Sequence, residues 1–270
     1  MQIVDLSANY KKSILENNSL PEYETAFPEL FDHYFKYWAR REHFVKTLNE
    51  KEVEERKSLV VNKLKYIEEK INNFGLSTEK IKIILFVGQN TANGHAFRHN
   101  DEFVVFIPIE AYKTALQADI FITHEIIHAL HYTDVPEFYF RGKGDKNSVS
   151  RQLITEGLAT YLSAGIMGVD SITALWADYI PTNKRDQWWK KCMDANEKLF
   201  KLCADGFYST NQALFESANP KDIYSYRSGY YVGYKVIEEI INTCGIKSVD
   251  LLKYPKDKIY RLAFSILIAV

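Results

Sequence analysis

His124, Glu125 and His128 are the residues of this chain best placed to do chemistry. They fall in Phe121–Tyr132, FITHEIIHALHY, with the spacing H-E-x-x-H. On a helix, two histidines four apart lie one turn apart on the same face. Two neutral imidazoles so placed can hold one Zn²⁺ at about 2.0–2.1 Å each. Glu125, beside the first of them, can reach a metal-bound water as general base. Ile126, Ile127, Ala129 and Leu130 are apolar and no Pro or Gly interrupts them, so the stretch reads as a buried helix that holds its ligands rigidly. The bland alternative is a core helix that carries two of the chain's seven His by chance.

A catalytic zinc needs a third protein ligand and an open position. His131 lies seven residues beyond His124, about 10.5 Å along a helix axis, too far to share one ion. Asp134 rather than His stands six residues after His128, and His131 rather than Gly stands three after it, so the H-E-x-x-H-x-x-G-x-x-H form is absent. The third ligand must come from another element. Glu156 is the choice, in T-E-G-L-A-T-Y among Leu153, Ile154, Leu158 and Ala159. A carboxylate buried there without a partner costs several kcal/mol, which calls for a cation or a metal. Asp134 and Asp145, in a polar loop, are the weaker rivals. Gly157 and Ala159 are small enough to let this second helix approach the metal helix closely.

Hydrolysis also develops a negative oxygen, and one fixed donor for it is worth about 2.7–4 kcal/mol. Arg227 and Tyr230 are three apart and share a helix face; Tyr231 and Tyr234 are alternatives. In a chain with 18 Tyr, aromatic packing is the competing explanation. Gly229 and Gly233, four apart, suggest that another backbone passes close by.

HEIIH followed by a helix bearing E-G-L-A-T-Y resembles the gluzincin zinc metallopeptidases, in which two His and a downstream Glu bind zinc. Thr155 stands where aminopeptidase-like members have Asn, and Thr160 stands where thermolysin-like members have an Asp that braces a ligand His. Arg227 and Tyr230 resemble the R-x-x-Y pair of clostridial neurotoxin light chains, which implies a role on the oxyanion. A closer likeness is to a family of predicted zinc-dependent proteases. Its members share H-E-x-x-H, E-G-L-A and a helix like Gly229–Tyr234, over roughly Ile81 to Ile241 by the fall of the motifs.

These groups need elements to position them. The periodicity predicts helices within Pro21–Phe74, the second from about Glu50 to Asn73 and closed by Gly75. At Ile81 the period changes: IKIILFVG reads as a strand, QNTANGHAFRHND as a loop with an Asn93-Gly94 turn, and EFVVFIPIE as a strand. Pro108 argues for an edge position or a strand end. In zincin-type folds an edge strand runs above the metal helix and can pair with an extended peptide, and the resemblance makes Glu102–Ile109 the candidate. Residues 1–20 read as an irregular lead-in. His95, before the edge strand, could line the cleft, but the usual exposure of His favours a surface loop residue. His33, His43 and His99 read as surface or structural. Later helices are expected at about 148–166, 183–204 and 227–244. The apolar last ten residues read as a final core helix or strand.

Composition is ordinary for a soluble globular protein, with 46% hydrophobic and 26% charged residues. A formal net charge of −1 gives no electrostatic support to a nucleic-acid or anionic-membrane partner. Cys192, Cys203 and Cys244 are too few and too scattered for a disulfide framework. With no apolar leader in MQIVDLSANYKK, a cytoplasmic location is the expectation. The fold expected is α+β, mostly helical: a zincin-like core with a small, mainly antiparallel sheet over the H-E-x-x-H helix. The segments expected are 1–75 helical, 76–170 the core, and 171–270 a helical lobe. The function expected is hydrolysis of a peptide or protein substrate, with Zn²⁺ on His124, His128 and Glu156, Glu125 as base, and Tyr230 or Arg227 on the oxyanion. A non-catalytic metal module, or a zinc hydrolase of a non-peptide amide, is the alternative.

Overall fold

In the computed structural model, which describes residues 1–269, the period change at Ile81 marks the passage from helix to sheet. Chain order is β1 (Gln2–Asp5), α1 (Pro28–Tyr37), α2 (Glu50–Asn73), β2 (Lys82–Phe86), β3 (His95–His99), β4 (Glu102–Pro108), α3 (Ala115–Asp134), α4 (Val149–Met167), α5 (Thr182–Asp194), α6 (Asn196–Asp205), α7 (Ser228–Cys244) and α8 (Lys256–Ala269), with shorter helical turns between them. The class is α+β and mostly helical, as the sequence implies. The chain divides into two units, Met1–Leu130 and a second beginning at His131. Among the described residues no helix is long and apolar enough to cross a membrane.

The first unit is built on a four-stranded sheet of order β1-β2-β4-β3. Two of its pairings are parallel, β1 with β2 and β2 with β4; only β3 with β4 is antiparallel. The expectation of a mainly antiparallel sheet is therefore wrong, and the connections show why. The long crossover from β1 to β2 carries α1 and α2, as parallel pairing requires. After β2, loop 87–94 skips one strand position, so the β3–β4 hairpin brings β4 back into the gap beside β2. β4 is thus interior and β3 is the edge, the reverse of the reading that made Glu102–Ile109 an edge. The interior position explains the unbroken burial from Phe103 to Pro108, and Pro108 is tolerated because it ends the strand. The irregular lead-in expected at 1–20 also gives way to β1, with Ile3 in register with Ile83.

Against this sheet lies an aromatic core: Phe31, Tyr34, Phe86 and Phe106 meet edge to face at 5.2–6.0 Å, the arrangement that ring quadrupoles favour. α2 begins at a capping box, Asn49 with Glu52, and buries Val53, Val60, Leu64, Ile67 and Ile71 on one face. Gly75 follows its end at φ +93°, as its C′ position demands. From α2, Lys63 reaches Asp119 of α3 at 2.9 Å.

In the second unit α4 is nearly all buried and ends at Gly168, φ +66°. α7 crosses it with backbone against backbone at Gly157 and Gly233. The single helix expected over 183–204 is broken into α5 and α6 at Ala195 (φ −101°, ψ 10°), between Asp194 and Asn196, both weak helix formers. Cys192 and Cys203 are buried free thiols.

Candidate metal centre

α3 forms because its apolar residues run all round it: every residue from 120 to 129 is buried, the mark of a helix inside the protein. His124, Glu125 and His128 are 6%, 8% and 2% exposed. The two imidazoles turn their Nε2 atoms toward one point, 3.0 Å apart, with ring planes 80° apart. Glu156, half-buried on α4, completes the group: one ligand atom each from His124, His128 and Glu156 all lie within 4.8 Å of one another.

This set fits zinc. Bonds of about 2.0–2.2 Å in a tetrahedron place ligand atoms about 3.3 Å apart, close to the 3.0 Å between the two Nε2 atoms. Two imidazoles and one carboxylate are also the donors of a known class of catalytic zinc site, which keeps a fourth position open. The charge of Glu156 is felt at Lys146: burial and Arg151 push that ammonium down, and Glu156 pulls it back up.

The excluded and rival ligands fall elsewhere. His131 is buried with its ring 4.4 Å from that of Phe138, while Asp134 and Asp145 are exposed, and none of the three belongs to the group. Gly157 meets the backbone of Gly233 of α7. Gly233 does mark a passing backbone, since a Cβ there would come within 2.6 Å of the Leu153 carbonyl. Gly229 faces a side chain instead, the Phe215 ring.

Arg227 precedes α7 in the left-handed region, φ +58°, with its guanidinium 4.6 Å from the ring centres of both Trp176 and Tyr230. Tyr230 is half-buried, with its ring 5.8 Å from that of Phe215. Tyr231 points its hydroxyl to Asn196, 2.9 Å away, and Tyr234 lies against Tyr161. Burial pushes both of these phenols up to about 12.

His95 needs correcting. It is not a surface loop residue but the first residue of β3, 7% exposed. Its ring stacks on His33 at 5.7 Å and lies 6.5 Å from that of His128. The residue before it, Gly94, packs against Glu125: a Cβ on Gly94 would fall 3.0 Å from Cγ of the glutamate. N-G-H reads locally as a turn, and its place just before a strand is the one hint that His95 could line the cleft.

The model of one protein family, described as Predicted Zn-dependent protease (DUF2268), matches residues 49–261. No curated protein and no solved structure matches the chain.

Proposed function

The chain belongs to the family of predicted Zn-dependent proteases, and on that footing we propose that it hydrolyses peptide bonds in a peptide or protein substrate as a gluzincin-type enzyme. His124, His128 and Glu156 hold the metal. The observation that carries the reading is the convergence of their ligand atoms within 4.8 Å, with Glu125 beside His124 on the same buried helix.

Zn²⁺, when bound, supplies a Lewis acid that polarises the peptide carbonyl and acidifies a water toward neutral pH. The carboxylate of Glu125 takes the proton of the attacking water and returns it to the nitrogen of the leaving amine. The Tyr230 hydroxyl, with the Arg227 guanidinium over its ring, donates to the oxygen on which charge develops. Burial of residues 120–129 holds both imidazoles in one orientation. The proposal includes a zincin-like arrangement of the core and a cytoplasmic setting.

The deciding variant is Glu125→Gln, assayed on an internally quenched peptide library, with zinc measured by elemental analysis. Zinc content is expected to stay as in the native protein while turnover falls by about 10²–10⁴, the usual contribution of a general base. Undiminished cleavage by Glu125→Gln removes Glu125 from the mechanism. If chelation unfolds the protein instead of silencing it, the metal is structural.

A further inference from the structure

Loop 87–94 is held at almost every residue. The Glu110 carboxylate, 3% exposed, accepts the backbone N–H of Gly88 at 2.9 Å and of Asn90 at 3.1 Å. The Tyr34 hydroxyl accepts the N–H of Gln89 at 2.8 Å and meets the Thr91 hydroxyl at 2.8 Å. Thr47 donates to the Gly88 carbonyl at 3.0 Å, and the Tyr112 hydroxyl donates to the carbonyl of Asn93. Both glycines of the loop leave little room for a Cβ. A Cβ on Gly88 would come within 2.7 Å of the Tyr34 oxygen and 2.9 Å of Glu110. Gly94 has φ +145°, and a Cβ there would meet Glu125 Cγ at 3.0 Å, the Phe106 carbonyl at 3.0 Å and Ile107 Cδ1 at 3.2 Å.

A backbone restrained this heavily, ending on the side chain of the general base, acts as a stop. We propose that loop 87–94 positions Glu125, with Gly94 as the residue in contact: its bare backbone fixes the path of the Glu125 methylenes and so the place of the carboxylate. Gly94 touches no reacting atom and is a positioning residue. The inference rests on Glu125 being the base. Catalytic geometry is unforgiving, and a displacement of about 1 Å can cost about 100-fold in rate.

The experiment compares Gly94→Ala, Tyr112→Phe and Gly75→Ala, each assayed for kcat, KM and zinc on the library peptide that the native protein cleaves best. Gly75 is the control, because it too has positive φ, +93°, but open space where a Cβ would go. Gly94→Ala is expected to lower kcat about 100-fold with KM and zinc unchanged. Tyr112→Phe, which frees the Asn93 carbonyl but keeps the ring, should lower kcat several-fold; it carries the test if Gly94→Ala does not fold. Gly75→Ala should lose stability and keep kcat. Native kcat in both Gly94→Ala and Tyr112→Phe overturns the proposal, as does an equal loss of kcat in Gly75→Ala. Glu125→Gln, run alongside, separates the two levels: if it stays active the base assignment falls, and if it is dead while the loop variants are native, only the positioning role falls.

Discussion

Gly157 and Gly233 meet backbone to backbone, and neither has room for a methyl group: a Cβ on Gly233 would lie 2.6 Å from the Leu153 carbonyl and 3.2 Å from Gly157 Cα. This crossing sits one residue from Glu156 on α4 and one turn from Tyr230 on α7. It therefore sets the spacing between the helix that carries the candidate third ligand and the helix that carries the candidate oxyanion donor.

Gly233→Ala should destabilise the fold by about 1–3 kcal/mol, the cost of overpacking against atoms that cannot yield. Gly229→Ala should cost less, although its Cβ would come within 2.6 Å of the Phe215 ring, because a side chain can turn away where a carbonyl cannot. Urea melts of both variants provide the check. A larger loss for Gly229→Ala would show that the crossing is softer than its distances imply.

The three-ligand set makes a selective prediction about metal content. Glu156→Gln and His128→Ala should each weaken zinc retention by more than the roughly 10- to 100-fold typical of losing an outer partner of a ligand. Asp145→Asn should keep native zinc, since that residue is exposed and outside the group. His131→Phe should also keep it, because the ring there packs on Phe138. Zinc measured after desalting, at equal protein concentration, distinguishes these variants; full zinc in Glu156→Gln would remove the carboxylate from the site.

What was legible in the sequence was what local rules decide. α2, α3, α4 and α7 were readable because long helices carry their own periodicity and caps. The grouping of His124, His128 and Glu156 was readable because metal chemistry narrows residue type and spacing together. The sheet was less legible. β1 is four residues that become a strand only by lying beside β2, and β3 is polar enough, HAFRH, to pass for loop. Without β3, β4 looks like an edge, and the direction of the pairings follows from the crossover rather than from any strand's composition. The packing of Gly94 on Glu125 and of His95 near His128 was hidden for the same reason, since those contacts exist only once the sheet is assembled, and for His95 exposure outweighed a place in the cleft.

Tyr230 and Tyr231 are neighbours with different expected fates. Tyr230→Phe should lower kcat by about 10²–10³, the usual effect of losing one oxyanion donor, with little change in KM if the hydroxyl acts only in the transition state. Tyr231→Phe should leave kcat within a few-fold, because its hydroxyl already points to Asn196. It should lower stability by about 1 kcal/mol, the net worth of an ordinary hydrogen bond. Steady-state kinetics on a single cleaved peptide measures both, and the reverse ranking would transfer the donor role to Tyr231.

Glu110 gives the fold a pH dependence of known sign. Burial pushes its carboxyl up from the ordinary 4.5 to about 7, although the N–H groups of Gly88 and Asn90 favour the charged form. In this window the folded chain holds a proton that the unfolded chain has released, so stability falls as pH rises. The contribution is fully present below pH 4.5, fades toward about 7 and is gone above it. At about 1.36 kcal/mol per pH unit the whole loss is roughly 3 kcal/mol. Glu110→Gln has no such proton and should show a flatter profile, so the stability difference between native protein and variant should move toward the variant from pH 5 to pH 8. Denaturant midpoints across that range test it, with every other titrating group common to both proteins. Parallel profiles would mean that the carboxyl is already ionised at pH 5, held so by the two backbone donors against the cost of its burial.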